Sequence, residues 1–558
     1  MNNASLELGG TNWAEKEGSL LGYAVNDTNN KYSAKEFTFG RGTNLSATRI
    51  GKTGLIEKGR ENLLLQSNQF DTTWLNQLGT GTITSGQPGY DSTNNAWEIT
   101  KDTSTSRSVR QPISSSGVLT YSVYVKAGTL NDAALRVDTT AGASQVLFDL
   151  TDGSSTLVGG IAISHNSVNI GNGWYRCIVI VNATITNVHI YVDRDGTTAG
   201  SIYIQDAQLE QGLVATPYIP TTTTIAQAGV LETTPRLNYT TGVANPYLLL
   251  EPSRTQLAGY SEYFDGWNNK TNVTITSNYT TSPEGLQNAS RLVFTGNGFL
   301  LNSGAPTQVS GTQYTLSCYA KRNDSGTQSF GFFKNGTGAV DSAMTLTSEW
   351  KRFDYTYTAG NSSQLGLAGV IGADVSIYGF QAEAAPYATS YIPNHSGGTI
   401  TRAADTSSKA DASEEIGQTE GVVFVEIEYH ENNTNSQIFE LYGSGGFSRI
   451  FLQAKSLNEL RATVTTNSAF NFNSAANFLV NGSTYKIALA YKSGDFSLYV
   501  NGSNISTGTS SWTTAETING IQIGQTFNNS LIEKVIVKQA AIYKERLTNT
   551  ELATLTTI

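Results

Sequence analysis

The sequence predicts an all-β fold of tandem jelly-roll or β-sandwich domains, and three observations predict it. First, short stretches of alternating apolar and polar residues recur along the chain, each ended by Gly, Asn, Thr or Pro, as half-buried strands between turns require. Second, the phrase Ser201-Ile202-Tyr203-Ile204-Gln205-Asp206-Ala207-Gln208-Leu209-Glu210 leads to Pro220 and returns as Ser376-Ile377-Tyr378-Gly379-Phe380-Gln381-Ala382-Glu383, leading to Pro393; 173 positions separate Gln208 from Gln381 and Pro220 from Pro393. A repeat of that period marks the closing strand of a whole module rather than a short solenoid unit. Third, charged residues are only 14% of the 558, and 27 Tyr and 21 Phe are set among Thr, Ser, Asn and Gly, a composition of aromatic strands and polar turns.

Length alone calls for three or four domains. The formal net charge is -10, with no Lys/Arg block to neutralise phosphates, so nucleic acid is not an expected partner. Cys177 and Cys318 fall in different modules, so no disulfide is expected, and synthesis in a reducing compartment fits. The first residues, Met1-Asn2-Asn3-Ala4-Ser5-Leu6-Glu7, lack the basic and apolar regions of a signal peptide. No apolar run is long enough to span a membrane.

Taken in order, residues 1–58 are polar with candidate strands at 19–25, 37–42 and 46–50. They read as an N-terminal anchor docking on a larger assembly or as a subdomain packed on the next module. Residues 59–221 form sandwich 1, opening at Asn62-Leu63-Leu64 with Phe70 and Trp74. Its strands are expected at 96–99, 121–127, 145–149, 174–180, 188–192 and 201–209. A linker, 222–243, follows. Sandwich 2, 244–397, restates the first: Trp267 follows Phe264 as Trp74 follows Phe70, 314–321 echoes 121–126, and 350–357 echoes 174–180. The preserved order makes the resemblance between the halves non-accidental, and the differing loops are where specificity can vary. The third sandwich, 398–558, has strands at 421–429, 437–442, 449–453, 460–464, 485–491, 495–502, 520–524 and 532–538. In its tail, Thr548 or Asn549 can cap a short helix with Glu551 in the first turn.

The C-terminal region resembles concanavalin A/laminin G-like jelly rolls. The resemblance rests on Phe496-Ser497-Leu498-Tyr499-Val500-Asn501-Gly502, on Gly524, and on the closing phrase from Ala540 to Leu552. The two upstream modules resemble the carbohydrate-binding-module-like sandwiches of tailed-bacteriophage structural proteins. That likeness is carried by Asn62-Leu63-Leu64 to Trp74, by Gln208-Leu209-Glu210 to Pro220, and by Thr401-Arg402-Ala403-Ala404-Asp405; Ser46-Ala47-Thr48-Arg49 is similar to the last. The second module departs with Ala382 for the Leu and Ala385 for the Gly. The resemblance implies a non-enzymatic virion appendage, a head or tail fibre or capsid decoration. It would be made in the host cytoplasm and displayed on the particle surface, attached through its N-terminal region. Its implied partners are other virion proteins (capsid, portal or tail), further copies of itself in a homo-oligomer such as a trimer, and host surface glycans. A polysaccharide-degrading tail spike and a bacterial surface adhesin are the alternatives.

A sugar-binding surface would use aromatic faces for stacking and amide or carboxylate groups for hydroxyls. Trp512, in the polar stretch Gly508-Thr509-Ser510-Ser511-Trp512-Thr513-Thr514, is the expected exposed ring, and Asp265 and Asn268 beside Trp267 are the expected groove. Trp174 and Trp350 open matching strands and read as structural. Gln208, Glu210, Gln381 and Glu383 read as fixed structural hydrogen bonds. His165, His189, His395 and His430 are isolated, so no transition-metal site and no cofactor is expected; a structural Ca2+ held by turn oxygens is the one metal left open. Glu426, Glu428 and Glu440 offer carboxylates, but no signature selects a facing pair for glycoside hydrolysis, and none of the common catalytic motifs is present.

Overall fold

A computed structural model describes the chain except residues 1–3, 11–12, 17, 27–30, 43–44, 241, 303–305, 335–339, 361–364, 431–434, 456–457 and 529–532. The fold is all-β. Among the described residues the only helices are a 3-10 turn, Phe264–Gly266, and an α-helix, Asn549–Thr556. Thr548 and Glu551 cap that helix reciprocally in a capping box, which satisfies two backbone donors at its start.

Sandwich 1 is a ten-stranded arrangement built around two long partners, Ser108–Ala127 and Trp174–Val192. The second merges the two strands expected at 174–180 and 188–192. No residue between them breaks the ladder, and both halves pair with the first strand across a shift between Pro112 and Ser115. Alternation then decides the faces. Tyr121, Val123, Val125, Tyr175, Cys177 and Val179 fill the core, while Ser122, Tyr124 and Arg176 alternate with them on the opposite face. Sandwich 2 repeats the scheme with eight strands, placing Gln313–Arg322 between Lys351–Thr358 and Asp374–Glu383. Cys177 and Cys318 are both buried free thiols.

The N-terminal region corrects the sequence reading. Leu6–Gly9 pairs with Val535–Tyr543, placing Leu6 opposite Ile542, and Lys31–Arg41 pairs with Asp405–Lys409. Leu6, Leu8, Leu20, Phe37 and Phe39 are buried in the core of the C-terminal sandwich. The described strands of residues 6–41 are therefore part of the C-terminal sandwich rather than a subdomain on sandwich 1. A segment too short for its own core gains most by adding strands to a large existing one. Its last hairpin, Thr48–Ile50 with Ile56–Lys58, instead sets Ile50 and Ile56 against Tyr378 and Tyr391 of sandwich 2. The segment expected as a linker also carries strands: Ala226–Ala228 pairs with Arg60–Asn62, and Leu237–Asn238 pairs with Tyr247–Leu250. In the C-terminal sandwich, strands Ala469–Asn477 and Ser503–Gly508 join those expected from sequence. The start of the strand expected at 532 lies outside the described residues, and the observed strand runs Val535–Tyr543.

Candidate functional site

The repeated closing phrase builds a clasp, twice. Gln208 Nε2 donates to Glu210 Oε1 at 2.7 Å, and Gln208 Oε1 accepts from the Ile219 amide at 2.8 Å. Glu210 accepts from the Thr216 amide at 2.9 Å and from its hydroxyl at 2.5 Å. In sandwich 2, Gln381 donates to Glu383 at 2.8 Å, Ile392 donates to Gln381 at 2.6 Å, and Glu383 accepts both Thr389 donors at 2.9 and 2.5 Å. All four side chains are buried, and each uses its polar atoms to pin the chain that returns to the proline stop. The structural reading of these four residues holds.

Around the second clasp lies a buried charge cluster. Glu251 accepts from Arg236 at 2.6 Å, from Arg402 at 2.8 Å and from the Ser390 amide at 2.8 Å. Asp405 accepts from Arg41 at 3.1 Å and also pairs with Arg236. Burial alone would raise the Glu251 carboxyl, but Arg402 and Arg236 beside it hold it well below the usual carboxylate range. Five side chains from the N-terminal strands, the 222–243 segment and both flanks of sandwich 2 thus meet in one dry spot. The phrase Thr401 to Asp405 supplies two of them.

The predicted ligand residues fall differently. Trp512 is buried, packed edge-on against Tyr491 at 5.6 Å and near Phe496. Its polar flanks are what lies outside, and the indole fills the core. Trp267 is buried as well, donating to the Tyr260 carbonyl at 3.2 Å and meeting Phe380 edge-on at 4.9 Å. It repeats Trp74, which donates to the Gln66 carbonyl at 3.1 Å. Asp265 and Asn268 are exposed, and Asp265 pairs with Lys270. With the indole turned inward, no groove forms among these three. Trp174 is buried and Trp350 half-buried, its Nε1 bonded to the Thr281 carbonyl at 3.0 Å. Among the described residues no three His, Cys, Asp or Glu side chains group as a metal site. Among the described residues no helix is long and apolar enough to cross a membrane.

The surface that does gather ligand-type chemistry is on the C-terminal sandwich, on the face turned from the core. Ile450 and Leu452 point inward, so Arg449 and Phe451 point outward, beside Glu440 and Tyr442 of the neighbouring strand. The Arg449 guanidinium lies 5.0 Å from the Phe451 ring and 4.9 Å from that of Phe527, and pairs with Glu440. Phe527 donates its amide to Glu440 at 3.1 Å and sits 6.1 Å from Tyr442. Burial lifts the Glu440 carboxyl above its ordinary value, against the pull of Arg449.

Two exposed rings flank this cluster: Phe447 is 55% and Phe470 64% accessible. Phe447 is in the turn before Ser448–Lys455 and Phe470 is the second residue of the strand Ala469–Asn477; the Asn467 amide, in the turn leading into that strand, donates to the Phe447 carbonyl at 2.7 Å. Glu516 fixes the first turn by accepting the amides of Gly445, Phe447 and Ser448 at 2.8, 2.6 and 3.2 Å. A rigid turn that presents an aromatic ring to water is a stacking platform. The sequence signal was an aromatic residue within a glycine-rich turn, Gly443-Ser444-Gly445-Gly446-Phe447; attention to tryptophan missed it.

Glu426 and Glu428, on the other sheet, face cations. Glu428 contacts Lys538 at 3.3 Å and is drawn down to about 2, first by its hydrogen bond to His430. Glu426 is 4.0 Å from Lys486.

Residues 423–553 match the concanavalin A-like lectin/glucanases superfamily. No curated protein matches the chain. Solved structures similar to parts of it include the CBM40 module of the Ruminococcus gnavus IT-sialidase bound to α2,3-sialyllactose, at 13% identity and TM-score 0.23, over 25% of this chain and 84% of that one. Domain 4 of the arabinanase AbnA from Geobacillus stearothermophilus, in complex with arabinotriose, aligns at 14% identity and TM-score 0.24, over 28% and 77%. A pentraxin from Limulus polyphemus aligns at 18% identity and TM-score 0.21, over 24% and 69%.

Proposed function

We propose that this protein is a non-enzymatic display protein that binds glycan on its C-terminal sandwich. The observation that carries the proposal is the pair of exposed rings, Phe447 and Phe470, beside Arg449 and Glu440. They sit on a sandwich whose sequence matches a lectin-containing superfamily. Phe447 and Phe470 would stack on sugar faces, while Arg449 and the backbone of the pinned turn would meet hydroxyls. Both oxygens of Glu440 already accept hydrogen bonds, from Arg449 and from the Phe527 amide. This supports a positioning role for Glu440 over that of a hydrolytic acid. The module phrases quoted above support a virion surface appendage as the setting. The uptake of residues 6–41 into the C-terminal sandwich speaks against attachment through a free N-terminal arm.

The test is a glycan array with the intact chain presented multivalently, repeated with the double variant Phe447→Ala/Phe470→Ala. Binding that is retained by the double variant, or absent from the wild type at high avidity, would overturn the assignment.

A further inference from the structure

The two sandwiches carry the same arginine in the same place, but only the first gives it a carboxylate. In sandwich 1, Arg176 donates Nε and Nη2 to Ser122 at 3.3 and 3.0 Å and lies 5.2 Å from the Tyr124 ring. In sandwich 2, Arg352 donates Nη2 to Ser317 at 3.0 Å and lies 5.6 Å from the Tyr319 ring. The backbone bulge beside each arginine is also shared, with positive φ of 53° at Asp206 and 64° at Gly379. Asp206, which accepts from the Tyr90 hydroxyl at 2.8 Å, adds a longer-range attraction to Arg176. Gly379 brings none.

What stands at Arg352 instead is a half-open cleft of about 130 Å³, bordered by other parts of the chain. Its charged walls are Arg49, Glu251, Arg352 and Lys534. Arg49 is already paired with Glu57 at 2.7 Å and Glu15 at 3.0 Å, and Glu251 is taken by Arg236, Arg402 and Ser390. Arg352 Nε has no partner, and among the described residues Lys534 makes no hydrogen bond or ion pair. Burial lowers the Lys534 ammonium, Glu251 pulls it back up, and Arg352 across the cleft lowers it again. The Arg352 Nε and the Lys534 ammonium thus border one partly dry cleft without a hydrogen-bond partner there, a costly arrangement that a bound anion relieves.

We propose that this cleft is a binding site for a small oxyanion, held by Arg352 and Lys534 where sandwich 2 meets the C-terminal sandwich. Guanidinium and ammonium donors converging on a volume of this size suit one phosphate, sulfate or carboxylate group. The group can come from a free inorganic ion or from the carboxylate of an acidic sugar. The anion supplies near Arg352 the negative charge that Asp206 adds at longer range near Arg176.

The experiment is thermal unfolding of the full chain at fixed ionic strength, in chloride, inorganic phosphate, glucuronate or neutral glucose. Phosphate, glucuronate or both should raise the midpoint saturably over chloride, and glucose should not. The rise should need at least about tenfold more anion in Arg352→Gln and in Lys534→Gln. Gly379→Asp, which supplies the missing carboxylate internally, should abolish it. A response to phosphate alone identifies a free oxyanion, and one to glucuronate alone an acidic sugar. An added Cβ at Gly379 meets the Tyr391 ring at 3.2 Å, so that variant tests the idea only if it folds. Lys534→Gln removes no native bond and decides the matter by itself. An absent anion response in the wild type, an equal response in Lys534→Gln, or an equal effect of glucose overturns the proposal.

Discussion

Sandwiches 1 and 2 share a clasp and differ in what surrounds it. In both, a buried Gln–Glu–Thr set ties the closing strand to the chain that follows, and a Trp donates to the carbonyl of a left-handed residue, Gln66 or Tyr260. Around sandwich 2, Glu251 and Arg402 belong to the buried charge cluster. The register puts Glu57 where Glu251 stands and Ala228 where Arg402 stands. Glu57 is 42% accessible and pairs with Arg49 at the surface. The same module thus meets its neighbour through an apolar contact of Val118, Ile180 and Leu213 with Tyr263 in one copy, and through a buried charge cluster in the other. The difference teaches that the clasp is what the fold requires, and the charge cluster is what the assembly of three sandwiches requires.

The sharpest way to break this comparison is to remove the two glutamates separately. Glu251→Ala leaves Arg402 without its carboxylate in a dry site and Arg236 with Asp405 alone, and is expected to cost roughly 3–5 kcal/mol. Glu57→Ala should cost about 0–1 kcal/mol, as exposed pairs do. Calorimetric unfolding of both variants reads the contrast, and equal losses would refute it. The same cluster sets an acid limit. The Glu251 carboxyl is held down in the folded chain, so its contribution is present above the unfolded carboxylate value and lost as pH falls through the lower folded one. The wild type should therefore lose stability on acidification more steeply than Glu251→Gln.

Next in size, Gln208→Ala and Gln381→Ala should each cost about 1–3 kcal/mol by leaving buried partners unsatisfied. Similar losses would sharpen the claim of one clasp used twice, while a large loss in only one copy would break it. A smaller effect distinguishes Asp206 from Gly379. Burial pushes the Asp206 carboxyl up to about 6, with Tyr90 donating to it at 2.8 Å. A raised carboxylate favours the folded state when protonated, so its contribution declines between the unfolded value and about pH 6 and is flat above. In Asp206→Asn that decline should vanish from the stability–pH profile; a decline that persists in the variant would count against this source. Least of all, Phe447→Ala should change stability by no more than about 0.5 kcal/mol, as exposed substitutions do, while binding falls. A large destabilisation would mean the ring is a packing element.

Much of the fold was legible because it is local. Alternation located eight strands of the C-terminal sandwich but not Asp405–Lys409, Ala469–Asn477 or Ser503–Gly508, Thr548 and Glu551 announced the helix, and the 173-residue spacing exposed two copies of one module. The function of Gln208 and Glu210 was legible because alternation sets both on one face, two residues apart. The candidate site was much less so. Trp512 lies in a polar stretch yet faces inward, because a side chain's direction in a turn depends on the backbone it closes against. The Phe447 turn carried a signal only in its glycines, and its rigidity comes from Glu516, distant in sequence.

What the sequence by itself determined is the alternation, the repeat and the closing hydrogen bonds, since each depends on residues within a strand or across one turn. What only the tertiary structure decided is partnership. Alternation tells which face of a strand is apolar but not which sheet will cover it, so the home of residues 6–41 in the last sandwich could not be read. Nor could the meeting of Arg41, Arg236, Glu251, Arg402 and Asp405, because opposite charges far apart in the chain neutralise each other only once packing has removed the water between them.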